Sequence, residues 1–365
     1  MKILYLFADS TARKEMLHSD YNTQHLYGQD YATRYGFSTL DDLDICDRTE
    51  NNLYGKIVDF IFNKICVSLG GWGGSWHKVF SLKQKIARAD IILSTADRVG
   101  IPLVFLQYLK LVPKKPVIYV SIGLFEKLKK LKPHRLALYQ KVFAQNVQKI
   151  ICYGYVENLK LKKIFGEAKV QFIPFGVDTQ YFQPQNTEED NYLLSIGKDP
   201  NRDFDLLLNI ARFIKEKILL ITSKARKQEI EKRWKVIPHN VSIVTDVPLS
   251  KIRASISHAR LVILPVKENS YSGATTTLLQ TMAMGKAVVV TKTGAIKKGY
   301  HLEHNKNCIL VQPGNKKELL QAIRYLLKNV SSRKNLGDNA RKTVQEYLSW
   351  ENYVHNLFSV IRKSL

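Results

Sequence analysis

The sequence predicts an α/β protein built on doubly wound, parallel sheets, and three observations carry that prediction. Short β-branched runs alternate with helical patterns along the whole chain. No stretch reaches the roughly 18 uncharged apolar residues of a membrane-spanning helix. The 365 residues, nearly half of them hydrophobic, are enough for about two domains with sizeable cores.

The first run is KILYLF. In MKILYLFADS, Asp9 interrupts the apolar stretch before a secretory core is complete, so this segment reads as a first strand. DIILST, PVIYVS, KIICYG and VQFIPF follow, and after them YLLSIG, KILLITS, VSIVTD, RLVILP, AVVVT and CILVQP. Short apolar runs separated by helical segments are what a parallel sheet covered on both faces requires. Between the two groups lies QPQNTEEDN, Gln183 to Asn191, polar and containing proline. It marks a boundary: residues 1–183 form one domain, 184–191 a linker and 192–345 a second domain. Residues 346–365 form a terminal helix, with apolar Tyr353, Leu357, Val360 and Ile361 and basic residues in the last turn.

Lys and Arg number 56 against 32 Asp and Glu, a net charge of +24 that attracts polyanions. Nucleic acid, an anionic membrane and phosphorylated substrates are the classes this opens, and the absence of a recognised binding module argues against the first. Ten basic residues and one acid, Glu157, lie between Lys127 and Lys163. FIFNKICVSLGGWGGSWHKVF, Phe60 to Phe80, mixes apolar residues, Trp72, Trp76 and Lys, which suits a membrane interface or an ordinary core helix and loop. Cys46, Cys66, Cys152 and Cys308 are far apart, so buried thiols in a reducing, cytoplasmic setting are expected, not a disulfide frame or a zinc site. Two Asp-x-Asp triplets, Asp42 with Asp44 and Asp203 with Asp205, have a spacing that can hold a divalent metal. The second precedes LLLNIARFIKE, where Asp203 suits the N-cap and Asp205 the first turn, so no metal is expected.

SGATTTLLQTMAMGKAVVVT, Ser272 to Thr291, runs from small residues into an apolar helical segment, then a glycine and a strand. Uncapped amides at a helix start could hold an anion, and a small-residue turn packed on a sheet would read the same.

Four stretches in order resemble glycosyltransferase family 4, the group 1 glycosyltransferases: IPFGVDTQYFQP, SIGKDPNRDFDLLL, LPVKENSYSGATTTLLQTMAMGKAVVVT and NKNCILVQPGNKKELLQAI. The resemblance implies the GT-B architecture, two Rossmann-like domains facing across a cleft, with the C-terminal helix returning to the N-terminal domain. It implies transfer of a sugar from a nucleoside diphosphate donor to a glycan or lipid-linked acceptor, with retention of configuration and neither cofactor nor metal. The resemblance suggests cell-surface polysaccharide or glycolipid synthesis, and the Lys127–Lys163 excess beside Trp72 and Trp76 adds the expectation of work at an anionic membrane surface, at its inner face.

Aligned with the family's Glu-Gly-Phe-Gly-Leu-x-x-x-Glu motif, Ser272 stands at the first Glu, which contacts the sugar, and Gly273 follows in register. Ala274, Thr275 and Thr276 fill the diphosphate turn, and Gln280 stands at the second Glu, which grips the ribose. Glu268 lies four residues before Ser272 and is the alternative carboxylate. Lys198 and Arg202, after Gly197, resemble the family's cationic clamp with the residue types exchanged. The first loop lacks the usual Gly-Gly, though Ser10 and Thr11 are small enough for a phosphate to approach; His18 and His25 lie in it. A catalytically silent GT-B subunit would also account for Ser272 and Gln280 in place of Glu, and a nucleotide-sugar epimerase could share the architecture.

Overall fold

The computed structural model describes residues 1–8, 23–43, 53–68, 73–271, 273–296 and 298–364. Ser10, Thr11, His18, Asp44, Cys46, Trp72 and Ser272 lie outside them. The chain folds into two compact units, Met1–Ile173 with Val354–Leu365, and Pro174–Tyr353.

The first unit is a six-stranded parallel sheet in the order β2-β1-β3-β4-β5-β6. Its strands are β1 (Lys2–Leu6), β2 (Ser38–Asp41), β3 (Ile91–Ser94), β4 (Val117–Ser121), β5 (Val147–Cys152) and β6 (Val170–Phe172). Strands β3 and β4 are buried at every position, as their unbroken apolar runs demand. Around the sheet lie α1 (Leu53–Ser68), α2 (Trp76–Ser81), α3 (Lys83–Arg88), α4 (Asp97–Tyr108), α5 (Leu124–Leu128), α6 (Pro133–Asn146) and α7 (Tyr155–Phe165). Trp76 is core, 7% exposed, between Phe62 and Phe105 at ring distances of 5.7 and 6.4 Å. The interface reading of this tryptophan is therefore replaced by the core reading.

The second unit is also a six-stranded parallel sheet, in the order β12-β11-β10-β7-β8-β9. Its strands are β7 (Tyr192–Ile196), β8 (Lys217–Thr222), β9 (Val241–Thr245), β10 (Leu261–Leu264), β11 (Val288–Thr291) and β12 (Ile309–Val311). The helices are α8 (Phe204–Ala211), α9 (Lys224–Arg233), α10 (Leu249–His258), α11 (Thr275–Ala283), α12 (Lys316–Lys328), α13 (Val330–Tyr347) and α14 (Trp350–Lys363). After α11 the chain turns at Gly285, whose φ of +67° is the left-handed conformation that ends helices.

Chain division falls at Ile173, ahead of the polar Gln183–Asn191 stretch. That stretch is fastened to the second unit: Glu189 pairs with Lys286 (3.1 Å) and Arg333 (3.0 Å), and the Asp190 N–H donates to the His258 carbonyl. Helix α14 starts in the second unit, where Trp350 and Tyr353 pack on Phe175, and ends in the first, where Phe358 stacks on Tyr35 at 4.5 Å.

Within the first unit a buried acid holds the turn after β4. The Ser121 hydroxyl donates to Glu157 Oε1 (2.7 Å) and the Phe125 N–H reaches the same oxygen (3.3 Å). Burial, reinforced by Asp97, pushes the Glu157 carboxyl from 4.5 to about 8, so it holds its proton at neutral pH. The folded chain thus binds a proton more tightly than the unfolded chain. The stability this contributes is complete below pH 4.5 and is lost as pH rises to about 8. Glu157→Gln keeps an oxygen for Ser121 and should flatten that decline; melting curves of both proteins across the window check it.

Candidate functional site

Strand β7 is the first of its sheet yet lies inside it, flanked by β8 on one side and β10 on the other. Strand order reverses there, and ligands of open α/β sheets bind outside the carboxyl ends of such strands. Two loops leave those ends. The one after β7 is stitched to the one after β10: the Asp203 N–H donates to the Pro265 carbonyl (2.9 Å), the Lys267 N–H donates to the Asn201 carbonyl (2.8 Å), and Arg202 and Val266 form an antiparallel bridge. Asp203 then caps α8, accepting from the Leu206 N–H at 3.1 Å, so its part in the Asp-x-Asp triplet is structural. The other triplet is likewise spoken for at Asp42, which is buried against Lys78 at 2.8 Å and accepts from the Phe7 N–H.

Arg202 is the unusual group. It is 3% exposed, and one guanidinium nitrogen, Nη2, donates to Thr277 Oγ1 at 3.2 Å. Its Nε and Nη1 have no hydrogen-bond partner among the described residues. Burial lowers its pKa to about 10, opposed by Asp199 and Tyr271, so it stays charged at neutral pH. A buried cation with unmet donors is costly unless an anion completes it. The side chain runs close against the end of β7, where a Cβ on Gly197 would come within 2.1 Å of its Nε.

Facing it is the start of α11. The cap residue, Ala274, has no side chain that can accept a hydrogen bond, so it leaves the amides of the first turn to another acceptor. Aligned amides at a helix start carry the positive end of the dipole. Thr275 is buried beneath this turn, Thr276 half-buried in it, and Gln280 buried in the helix's second turn. Lys198 is exposed beside Gly197.

The structure thus gathers Gly197, Lys198, Arg202, Gly273, Ala274, Thr275 and Thr276 at the ends of β7 and β10. Glu268 reaches elsewhere: its Oε1 accepts the Gly294 N–H at 2.8 Å, in the turn after β11. Ser10, Thr11 and Ser272 lie outside the described residues. His25 is in a short 3-10 turn of the first unit, Thr23–Leu26.

Sequence reasoning missed Asp199 and Tyr271. The Tyr271 hydroxyl donates to the Asp199 carboxylate (2.7 and 2.9 Å), which sits where a Cβ on Gly273 would meet it at 3.1 Å. Asp199 also accepts from the Asn201 N–H at 2.8 Å, a local Asx turn that the Asp-Pro-Asn spacing could have signalled. Thr277, the acceptor for Arg202, was also missed.

Residues 190–329 match the family model described as Glycosyl transferases group 1. The chain is 26% identical over 209 residues to the MMP alpha-(1->4)-mannosyltransferase of Mycolicibacterium hassiacum, a match covering 54% of this chain and 49% of the relative. The chain thus spans about half the length of the curated relative it matches. Its fold is that of HepE from Anabaena, solved in complex with UDP and glucose, at a TM-score of 0.73 and 12% identity over all of both chains. Sucrose-phosphate synthase from Thermosynechococcus elongatus is equally similar, at a TM-score of 0.73 and 14% identity over all of this chain and 98% of that one. These are GT-B glycosyltransferase structures, and the fold class is GT-B.

Proposed function

We propose that this chain, a group 1 glycosyl transferase by the match of residues 190–329, moves a sugar from a nucleoside diphosphate donor to a glycan or lipid-linked acceptor with retention of configuration. The observation that carries this reading is the buried Arg202 guanidinium with two unmet donors beside an uncapped helix start. In the reading, the diphosphate accepts from Arg202 Nε and Nη1 and from the first amides of α11, and Lys198 adds a mobile charge from the exposed side. Charge on the departing nucleotide rises as the glycosidic bond ionises, and these groups offset it without reorganising. The acceptor hydroxyl then attacks from the face the leaving group vacates and passes its proton to the departing phosphate, so no protein nucleophile takes part, and in this reading the cationic groups serve in place of a metal. The UDP complex of HepE supports a nucleotide donor of this kind. The acceptor is presented at an anionic membrane surface on the cytoplasmic side, and nucleic acid is no partner.

Thermal stabilisation by a panel of nucleotide sugars tests the donor, since a ligand at 100 times its dissociation constant stabilises by about 2.7 kcal/mol. Turnover that requires an acceptor excludes an epimerase, and donor turnover of any kind excludes a silent subunit. No shift with any nucleotide sugar would overturn the reading.

Gln280 takes the ribose diol in this reading. An amide both donates to and accepts from hydroxyls, whereas a charge-assisted carboxylate bond is about twice as strong. Gln280→Glu should hold the nucleotide as well or better, and Gln280→Ala should weaken it several-fold, by calorimetric titration. Equal weakening by both would place Gln280 away from the ribose.

A further inference from the structure

Helices that coat a sheet turn their apolar side inward. Helix α1 of the first unit does so only in part: Phe62 stacks on Trp76 and Cys66 packs against the core, while most of its apolar side chains are turned the other way. Its polar side chains face the unit: Asp59 Oδ1 accepts the His77 N–H and Asn63 Oδ1 accepts the Gly74 N–H, both at 2.8 Å. Gly55 lies so close that a Cβ would meet His77 Nδ1 at 2.7 Å. Leu53, Ile57, Phe60, Ile61 and Ile65 point outward, between 48% and 72% exposed. Single exposed apolar residues are ordinary, but a contiguous row at helical spacing marks a surface that something covers.

Charge decides what covers it. The one acid of α1, Asp59, is turned inward, so the outward side carries only Lys56 and Lys64. Lys64 lies among the apolar side chains, with its Nζ 4.6 Å from the centre of the Phe60 ring. The ammonium rests over the aromatic face, a cation–π contact, and its four-carbon stem is long enough to carry the charge out to headgroups, as lysines do at a lipid interface. The core of a protein interface, by contrast, is depleted of lysine. With 16 residues, α1 is too short to cross a bilayer, and among the described residues no helix is long and apolar enough to do so.

We propose that α1 lies in the plane of an anionic bilayer leaflet, with Leu53, Ile57, Phe60, Ile61 and Ile65 at the acyl boundary and Lys56 and Lys64 at the headgroup phosphates. This rests on the membrane half of the functional reading and is independent of sugar transfer. It moves the membrane contact from the Trp76 loop and the Lys127–Lys163 excess to one helix face. Within that excess Lys127 pairs with Asp97 at 3.2 Å, Lys162 with Glu167 at 2.6 Å, and Lys129 with Glu126.

Co-sedimentation of the full chain with vesicles, without donor or acceptor, tests the proposal, so its outcome stands whether or not sugar is transferred. Wild-type protein should pellet with phosphatidylcholine vesicles containing phosphatidylglycerol and much less with phosphatidylcholine alone. The double variant Ile57→Glu, Ile61→Glu changes only exposed positions, so its melting temperature and nucleotide affinity should match wild type while its vesicle partition falls at least about tenfold. Lys56→Ala with Lys64→Ala should weaken binding and erase the preference for the anionic lipid. Three outcomes would overturn it: wild type left in the supernatant, the Glu variant pelleting like wild type, or a wild-type dimer without vesicle binding that the Glu variant splits, which would make the face a self-association surface.

Discussion

Arg202→Ala is expected to lower turnover about a hundredfold or more, the cost of removing one preorganised donor to a developing anion. Stability should not fall in step. Within the described residues the guanidinium gives one bond, to Thr277 Oγ1, and keeps two donors unmet at 3% exposure. Deleting a buried charge of that kind removes a desolvation penalty along with the bond, which offsets part of the cost of the cavity and of the Asp199 charge left behind. The two effects therefore separate: a large loss of turnover at saturating donor, with a much smaller change in melting temperature without ligand. Arg202→Lys should recover little, because an ammonium on a flexible stem cannot present donors where Nε and Nη1 lie. Lys198→Ala, at an exposed side chain, should also lose turnover, and its deficit relative to wild type should shrink as salt rises, because an exposed charge is screened. Normal turnover in both purified alanine variants would remove the cationic clamp from the mechanism.

The strands were legible because burial on both faces leaves an unmistakable apolar run, as in VIYVS and VVVT. Strand β2, STLD, was not; it lies at the sheet edge with no fully buried position, so neither an apolar run nor a clean alternation marks it. At the site, what is contiguous in sequence was readable: a small-residue turn feeding a helix, and a glycine ending a strand. Asp199 and Tyr271 meet across 72 residues, and Arg202 and Thr277 across 75, and no local pattern encodes either meeting. Glu268 shows the converse limit. Spacing suggested a carboxylate for the sugar, yet its oxygen is held by a backbone amide after the next strand. Helix α1 was read with its neighbours as a mixture because hydrophobic content alone does not say which side faces the core; the side-chain bonds of Asp59 and Asn63 do.

Gly197→Ala should lower turnover at least about tenfold, and should do so through Arg202. Real Cβ atoms keep about 3 Å from other heavy atoms, but one added here would stand 2.1 Å from Arg202 Nε and 2.8 Å from its Cγ and Cζ, so something must move. The strand end is the stiffer partner: the Gly197 N–H donates to the Ile221 carbonyl at 3.0 Å and its own carbonyl accepts from Thr222 Oγ1 at 2.7 Å. Gly197 is not among the residues with positive φ, so alanine meets no backbone strain there. The guanidinium, at the end of a flexible side chain, is what yields, and with it go the Thr277 bond and the aim of both unmet donors. A near-native melting temperature with impaired turnover is the expected signature. Coupling distinguishes this from a general disturbance of the loop: once Arg202 is alanine, the methyl group has room, so adding Gly197→Ala should cost little further activity. If the second substitution lowers turnover as much in the Arg202→Ala background as in wild type, Gly197 acts by another route than holding the guanidinium in place.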